Sequence, residues 1–138
     1  MTPRVRRVLE TALYVDDLER SRSFYQTVLG LQPLVEDQRL VAMDGGGGTV
    51  LLLFLRGASK DDGGDDQGAI PGHDGSGRVH FAFAVDADEL DAWDNHLTDL
   101  GVEIESRRRW PRGGTSLYFR DPDGHLVELA TPGIWTTY

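Results

Sequence analysis

Leu117-Tyr-Phe-Arg-Asp-Pro-Asp-Gly-His-Leu-Val-Glu-Leu-Ala-Thr131 is the stretch from which the fold is read. Two short apolar runs flank Asp121-Pro122-Asp123-Gly124, where Pro suits the second position of a type I turn and Gly the fourth. The segment therefore reads as a hairpin. Its second strand holds Glu128 among Leu126, Val127, Leu129 and Ala130. An unpaired buried carboxylate would cost several kcal/mol. Glu128 must face water, pair with a cation or hold a metal.

Working outward, a pattern ends at this hairpin and occurs twice. Val8–Val15 alternates as a strand, with Leu9, Leu13 and Val15 on one face and Glu10, Ala12 and Tyr14 on the other. Asp16-Asp17 supplies a helix N-cap, Leu18, Phe24, Tyr25, Val28 and Leu29 make one helical stripe, and Gly30 closes it. Leu31–Val35, Arg39–Met43 and Thr49–Leu55 follow as strands, the last two joined through Gly45–Gly48. The order is βαβββ.

From Arg78 it returns. Arg78–Val85 is a strand, Asp88 is expected to cap a helix carrying Leu90, Trp93, Leu97 and Leu100, and Gly101 ends it. Val102–Glu105, Thr115–Arg120 and Leu126–Ala130 complete the set. Aligning the repeats puts Glu10 opposite His80 and Leu52 opposite Glu128. The expected layout is one α+β domain over 1–138: module one at 7–56, a linker at 57–77, module two at 78–131 and a tail at 132–138. Rich in Gly and Asp, the linker reads as flexible or as a mobile flap, with His73 solvated.

With 138 residues and 39% apolar content, the chain can bury one core. A formal charge of -9 repels phosphates and removes nucleic acid from the expected partners. The chain has no Cys, so any metal must be held by N and O donors. No apolar run approaches membrane-spanning length, and no signal-like apolar segment follows the basic start. The expectation is a cytoplasmic protein without a membrane partner.

Period-two arithmetic turns Glu10 and His80 away from the helix-packing face, beside the small Ala12, Ala82 and Ala84. If the two modules form one curved sheet with its inner surface free of helices, Glu10, His80 and Glu128 converge there. One imidazole and two carboxylates suit a divalent first-row ion: Fe, Mn, Zn, Ni or Co. Taken singly, each has a plainer reading: Glu10 an exposed strand residue, His80 a hydrogen-bonded histidine, Glu128 the partner of an Arg.

The residues Glu10–Leu31, Val79–Phe83 and Tyr118–Glu128 resemble the vicinal oxygen chelate superfamily, which includes glyoxalase I, extradiol dioxygenases, fosfomycin-resistance transferases and metal-free bleomycin-binding proteins. The resemblance implies paired βαβββ modules in a U-shaped mixed sheet with helices outside, and metal ligands at Glu10, His80 and Glu128. Two departures stand out: the family most often has His where this chain has Glu10, and Leu52 aligns with a fourth ligand of glyoxalase I. Glu10 is accordingly either a ligand or a base beside the ion.

Tyr118 is similarly situated to an acid-base tyrosine of extradiol dioxygenases; otherwise it is a packing aromatic. Arg107, Arg108, Arg109 and Arg112 form the one dense basic cluster, from which Arg109 or Arg112, with Trp110, would bind an anionic substrate while the rest line a solvated edge. His96 is read as surface, and His125 lies on the face opposite Glu128. The resemblance implies a metal-dependent enzyme, of dioxygenase or lyase/isomerase type, acting on a small oxygen-rich substrate and assembled as a homodimer. The competing expectation is a non-catalytic protein with a metal-free cavity for an antibiotic or metabolite.

Overall fold

A computed structural model describes residues 1–138, which divide into two compact units, Met1–Ser76 and Gly77–Tyr138. In the first unit the chain runs β1 (Glu10–Val15), α1 (Leu18–Leu29), β2 (Pro33–Glu36), β3 (Leu40–Gly46) and β4 (Thr49–Leu55), then a small hairpin, β5 (Gly63–Asp65) and β6 (Gly68–Ile70). The second unit has β7 (His80–Ala84), a short 3-10 turn at Ala87–Glu89, α2 (Leu90–Asp99), β8 (Ser106–Arg109), β9 (Thr115–Arg120) and β10 (Leu126–Ala130). Both are βαβββ.

Each unit builds one mixed four-stranded sheet, in the order β1-β4-β3-β2 or β7-β10-β9-β8. The two registers correspond position by position. In the first, Glu10 pairs with Val50 and Ala12 with Leu52; in the second, His80 pairs with Leu126 and Ala82 with Glu128. The outer pair of each sheet is parallel and the rest is antiparallel. Leu13, Val15, Met43 and Leu53 are fully buried in the first core, and Leu97, Phe119 and Val127 in the second.

Local chemistry sets the element ends. The Asp17 side chain accepts a hydrogen bond from the Arg20 amide, and Gly30 closes α1 at φ 71°, a left-handed conformation that costs other L-residues about 1–2 kcal/mol. At the central hairpin, the Gly124 amide donates to the Asp121 carbonyl, and Asp121 Oδ1 accepts from the amides of Asp123 and His125. The expected turn is thus reinforced by an Asx contact.

Two expectations about element ends need correction. The strand expected at Val102–Glu105 lies instead at Ser106–Arg109, since pairing with β9 is counted back from the 110–114 turn. Asp88 sits inside the 3-10 turn, and Asp86 occupies its N-cap without a side-chain hydrogen bond. The stretch 57–77 is more ordered than its composition suggests. Besides the β5–β6 hairpin, Asp74 Oδ1 accepts from the Gly57 amide, Asp62 Oδ1 from the Gly72 amide, and Arg56 donates to the Gly75 carbonyl. His73 is half-buried: its Nδ1 stands 2.8 Å from the Tyr14 hydroxyl, and its ring packs edge-on against Phe54.

Replacing Asp17 by Ala should destabilise the protein by about 1 kcal/mol, read as a lowered urea midpoint with unchanged slope. An unchanged midpoint would show that the cap contributes nothing.

Candidate functional site

The second sheet exposes one face to a cavity. Strand alternation puts His80, Ala82 and Ala84 of β7, Glu128 and Ala130 of β10, Ser116 and Tyr118 of β9, and Arg108 of β8 on that side. The cavity measures about 400 Å3, with aromatic walls from Trp110, Tyr118, Trp135 and Tyr138. The C-terminal tail closes one side of it. There the Tyr138 hydroxyl donates to the carbonyls of Ala130, at 2.8 Å, and Val85.

The repeat explains why the space is open here. Ala84 and Ala130 pair in the second sheet, whereas the equivalent pair in the first is Tyr14 and Phe54. Those two rings stack at 6.0 Å and are capped by His73. Gly75 lies so close that an added Cβ would come within 2.5 Å of the Tyr14 ring. In unit one aromatic side chains and the loop fill the face that alanines leave free in unit two.

Glu128 is 7% exposed, and its two oxygens have different partners. Oε2 receives the Ser116 hydroxyl at 2.5 Å, a length suited to a charge-assisted O–H···O bond. Oε1 stands 3.1 Å from His80 Nε2. The other imidazole nitrogen, Nδ1, is 3.0 Å from the Leu126 carbonyl. A carbonyl only accepts, so the proton belongs on Nδ1. In the neutral ring Nε2 then turns a lone pair toward a carboxylate oxygen. Two acceptors face each other, and something positive belongs between them: a proton on Nε2 or a metal ion.

The His80–Glu128 pair has the spacing of two ligands of one ion. Ligands held about 2.1 Å from one ion stand about 3.0–3.4 Å apart, depending on the angle. An imidazole fixed through N–H to a carbonyl and a carboxylate fixed by a hydroxyl are the outer contacts that orient metal ligands. Within the second unit no third His, Cys, Asp or Glu joins the pair.

Of the other expected site residues, Tyr118 pairs in register with Glu128 and Trp110 lines the cavity. Glu10 belongs to the first unit, exposed at the start of β1. Arg109 pairs with Thr115 on the face opposite the cavity, and Arg112 is exposed in the 110–114 turn. Arg107 is bound by Asp94 of α2, at 2.6 and 2.8 Å. Arg108 takes the cavity side, its guanidinium 4.4 Å over the Trp110 ring. Arg108 was in the basic cluster from which a cavity residue was expected, though Arg109 and Arg112 were singled out; Ser116 was passed over. The signal for Ser116 was its spacing, two residues before Tyr118 and so on the same face.

Burial, then the Glu128 charge, raises the Tyr118 phenol above its ordinary value of 10.0. Folding favours the protonated phenol, so its contribution to stability is present below about pH 10 and is lost as pH rises through the folded value. Glu128→Gln should lower the Tyr118 ionisation midpoint and leave that of Tyr138 in place, followed by NMR of ring-labelled tyrosine. An unmoved Tyr118 midpoint would show that Glu128 does not act on it.

Comparison with known proteins agrees with this architecture. The family model described as the Glyoxalase/Bleomycin resistance protein/Dioxygenase superfamily matches residues 7–129. Metallothiol transferase FosB of Lysinibacillus sphaericus is 35% identical over 119 residues, covering 85% of this chain and 76% of that protein. For metallothiol transferase FosB of Bacillus licheniformis the match is 40% over 58 residues, 41% of this chain and 38% of that protein's length. The crystal structure of lactoylglutathione lyase from Agrobacterium tumefaciens superposes with a TM-score of 0.85 at 36% identity, covering 94% of this chain and 96% of that one. With its paired βαβββ units and a family match across nearly its whole length, the chain belongs to the Glyoxalase/Bleomycin resistance protein/Dioxygenase superfamily.

Proposed function

We propose that this protein is a metal-dependent enzyme acting on a small, oxygen-rich organic molecule, with His80 and Glu128 as ligands of a divalent ion and Glu10 as either third ligand or base. The observation that carries the reading is the approach of His80 Nε2 to Glu128 Oε1 at 3.1 Å, with the Nδ1 proton held by the Leu126 carbonyl. Fe, Mn, Zn, Ni and Co all suit such N and O donors. When bound, the ion would supply Lewis-acid polarisation of substrate oxygens.

The chain's own groups have separable tasks. Tyr118, whose ionisation burial and the Glu128 charge push further above its ordinary value of 10.0, would act as a proton donor beside the carboxylate. Arg108, stacked on Trp110, supplies a positive charge for an anionic substrate group. Arg109 and Arg112 would serve only substrate parts reaching beyond the cavity. The aromatic walls favour a compact organic molecule. A lyase or group-transfer reaction draws support from the names of the lactoylglutathione lyase and metallothiol transferase relatives. A homodimer and a cytoplasmic setting belong to the same proposal.

The aromatic cavity also favours a second reading. Its volume and walls would hold a small ligand without any ion, as a binding protein does. In that case Nε2 carries a proton and His80 forms a plain ion pair with Glu128.

Metal analysis by mass spectrometry separates the two. Reconstitution with Fe(II), Mn(II), Zn(II), Ni(II) or Co(II) should give about one ion per chain for at least one metal. His80→Ala and Glu128→Gln should each weaken uptake by more than the roughly 10- to 100-fold that loss of an outer hydrogen bond costs. Wild-type protein that takes up none of these ions contradicts the enzyme reading and leaves the binding protein.

A further inference from the structure

Ser116 is fully buried between Trp110 and Glu128, with the Tyr118 phenol close enough to hydrogen-bond to it and to Glu128. Trp110 Nε1 lies 2.8 Å from its hydroxyl oxygen, and Glu128 Oε2 lies 2.5 Å away on the other side. An indole N–H can only donate, so the hydroxyl accepts from Trp110. Its single proton is then left for Glu128. The direction of the chain is forced: Trp110 to Ser116 to Glu128.

We infer that Ser116 is a positioning residue that occupies Glu128 Oε2 and leaves Oε1, the oxygen facing His80, as the one offered to an ion, so that Glu128 binds metal through one oxygen. The inference rests on the metal reading above and adds the mode of ligation. A carboxylate with both oxygens free can chelate through two; one whose second oxygen already accepts a short hydrogen bond would have to break it first. The Trp110 indole orients the hydroxyl and is itself a cavity wall, with Arg108 against its face. Cavity and carboxylate are therefore linked through one hydroxyl.

Co(II) is the probe, because its visible absorption responds to coordination number. Wild-type protein should bind Co(II). In Ser116→Ala the affinity should fall by about 10- to 100-fold, the usual effect of removing an outer hydrogen bond, and the absorption bands should change as Oε2 becomes free to coordinate. Trp110→Phe removes the indole donor together with part of the ring beneath Arg108, and adds no bulk. It should shift affinity and bands in the same direction by a smaller amount. In metal-free protein, the Trp110 indole N–H resonance should move in Ser116→Ala while that of Trp93, on α2, stays.

Ser116→Ala with wild-type affinity and bands overturns the inference and leaves the metal site standing. Wild-type protein that binds no Co(II), nor any other first-row ion, overturns both. If Ser116→Ala does not fold, Trp110→Phe decides alone, and wild-type bands in that variant overturn the inference.

Discussion

A carboxylate inside an apolar strand constrains the second unit. Glu128 follows Val127 and precedes Leu129 and Ala130, all buried, and leaving it unpaired there would cost several kcal/mol. Its partners come from both neighbours of β10: Ser116 and Tyr118 from β9, His80 from β7. A one-residue slip of either neighbour would turn those groups to the other face and leave the carboxylate unsatisfied. Register and site are one constraint seen from two sides. The buried His125 serves the same end, its Nδ1 accepting from the Val79 amide just before β7.

The duplicated architecture gives this constraint an internal control. The first unit repeats strand order and register, yet Leu52 stands where Glu128 would be and Glu10 where His80 would be. The carboxylates of that sheet, Glu10, Glu36 and Asp44, are all exposed. Its equivalent face is closed by Tyr14 and Phe54, with His73 and Gly75 of the loop packed on them. One backbone plan thus yields a packed face and an open one. Alanine against aromatic at two paired positions, 84 with 130 and 14 with 54, accounts for the difference.

Much of this was legible in the sequence, for reasons that differ by element. The bounds of α1, β4, β9 and β10 follow from punctuation acting within a few residues: Asp17, Gly30, the Gly45–Gly48 turn and Asp121–Gly124. The equivalences of Glu10 with His80 and Leu52 with Glu128 needed only the repeat. β8 was misread because Val102 and Ile104 alternate convincingly, while the three consecutive Arg of β8 conceal a strand whose faces are set by Asp94 and Trp110. The order in 57–77 arises from side chains capping amides ten or more residues away, which composition cannot reveal. Ser116 looked like any strand serine. Only the direction of its two hydrogen bonds gives it a part in the site.

The central claim is that His80 keeps its proton on Nδ1 and presents an Nε2 lone pair, opposite Glu128, to a divalent ion. Nitrogen-15 NMR of histidine-labelled protein, titrated with Zn(II), tests it most directly. The account predicts that His80 Nδ1 stays protonated at neutral pH while the Nε2 resonance moves to a metal-bound position as the ion is added. Two protonated nitrogens, neither responding to Zn(II), would contradict it.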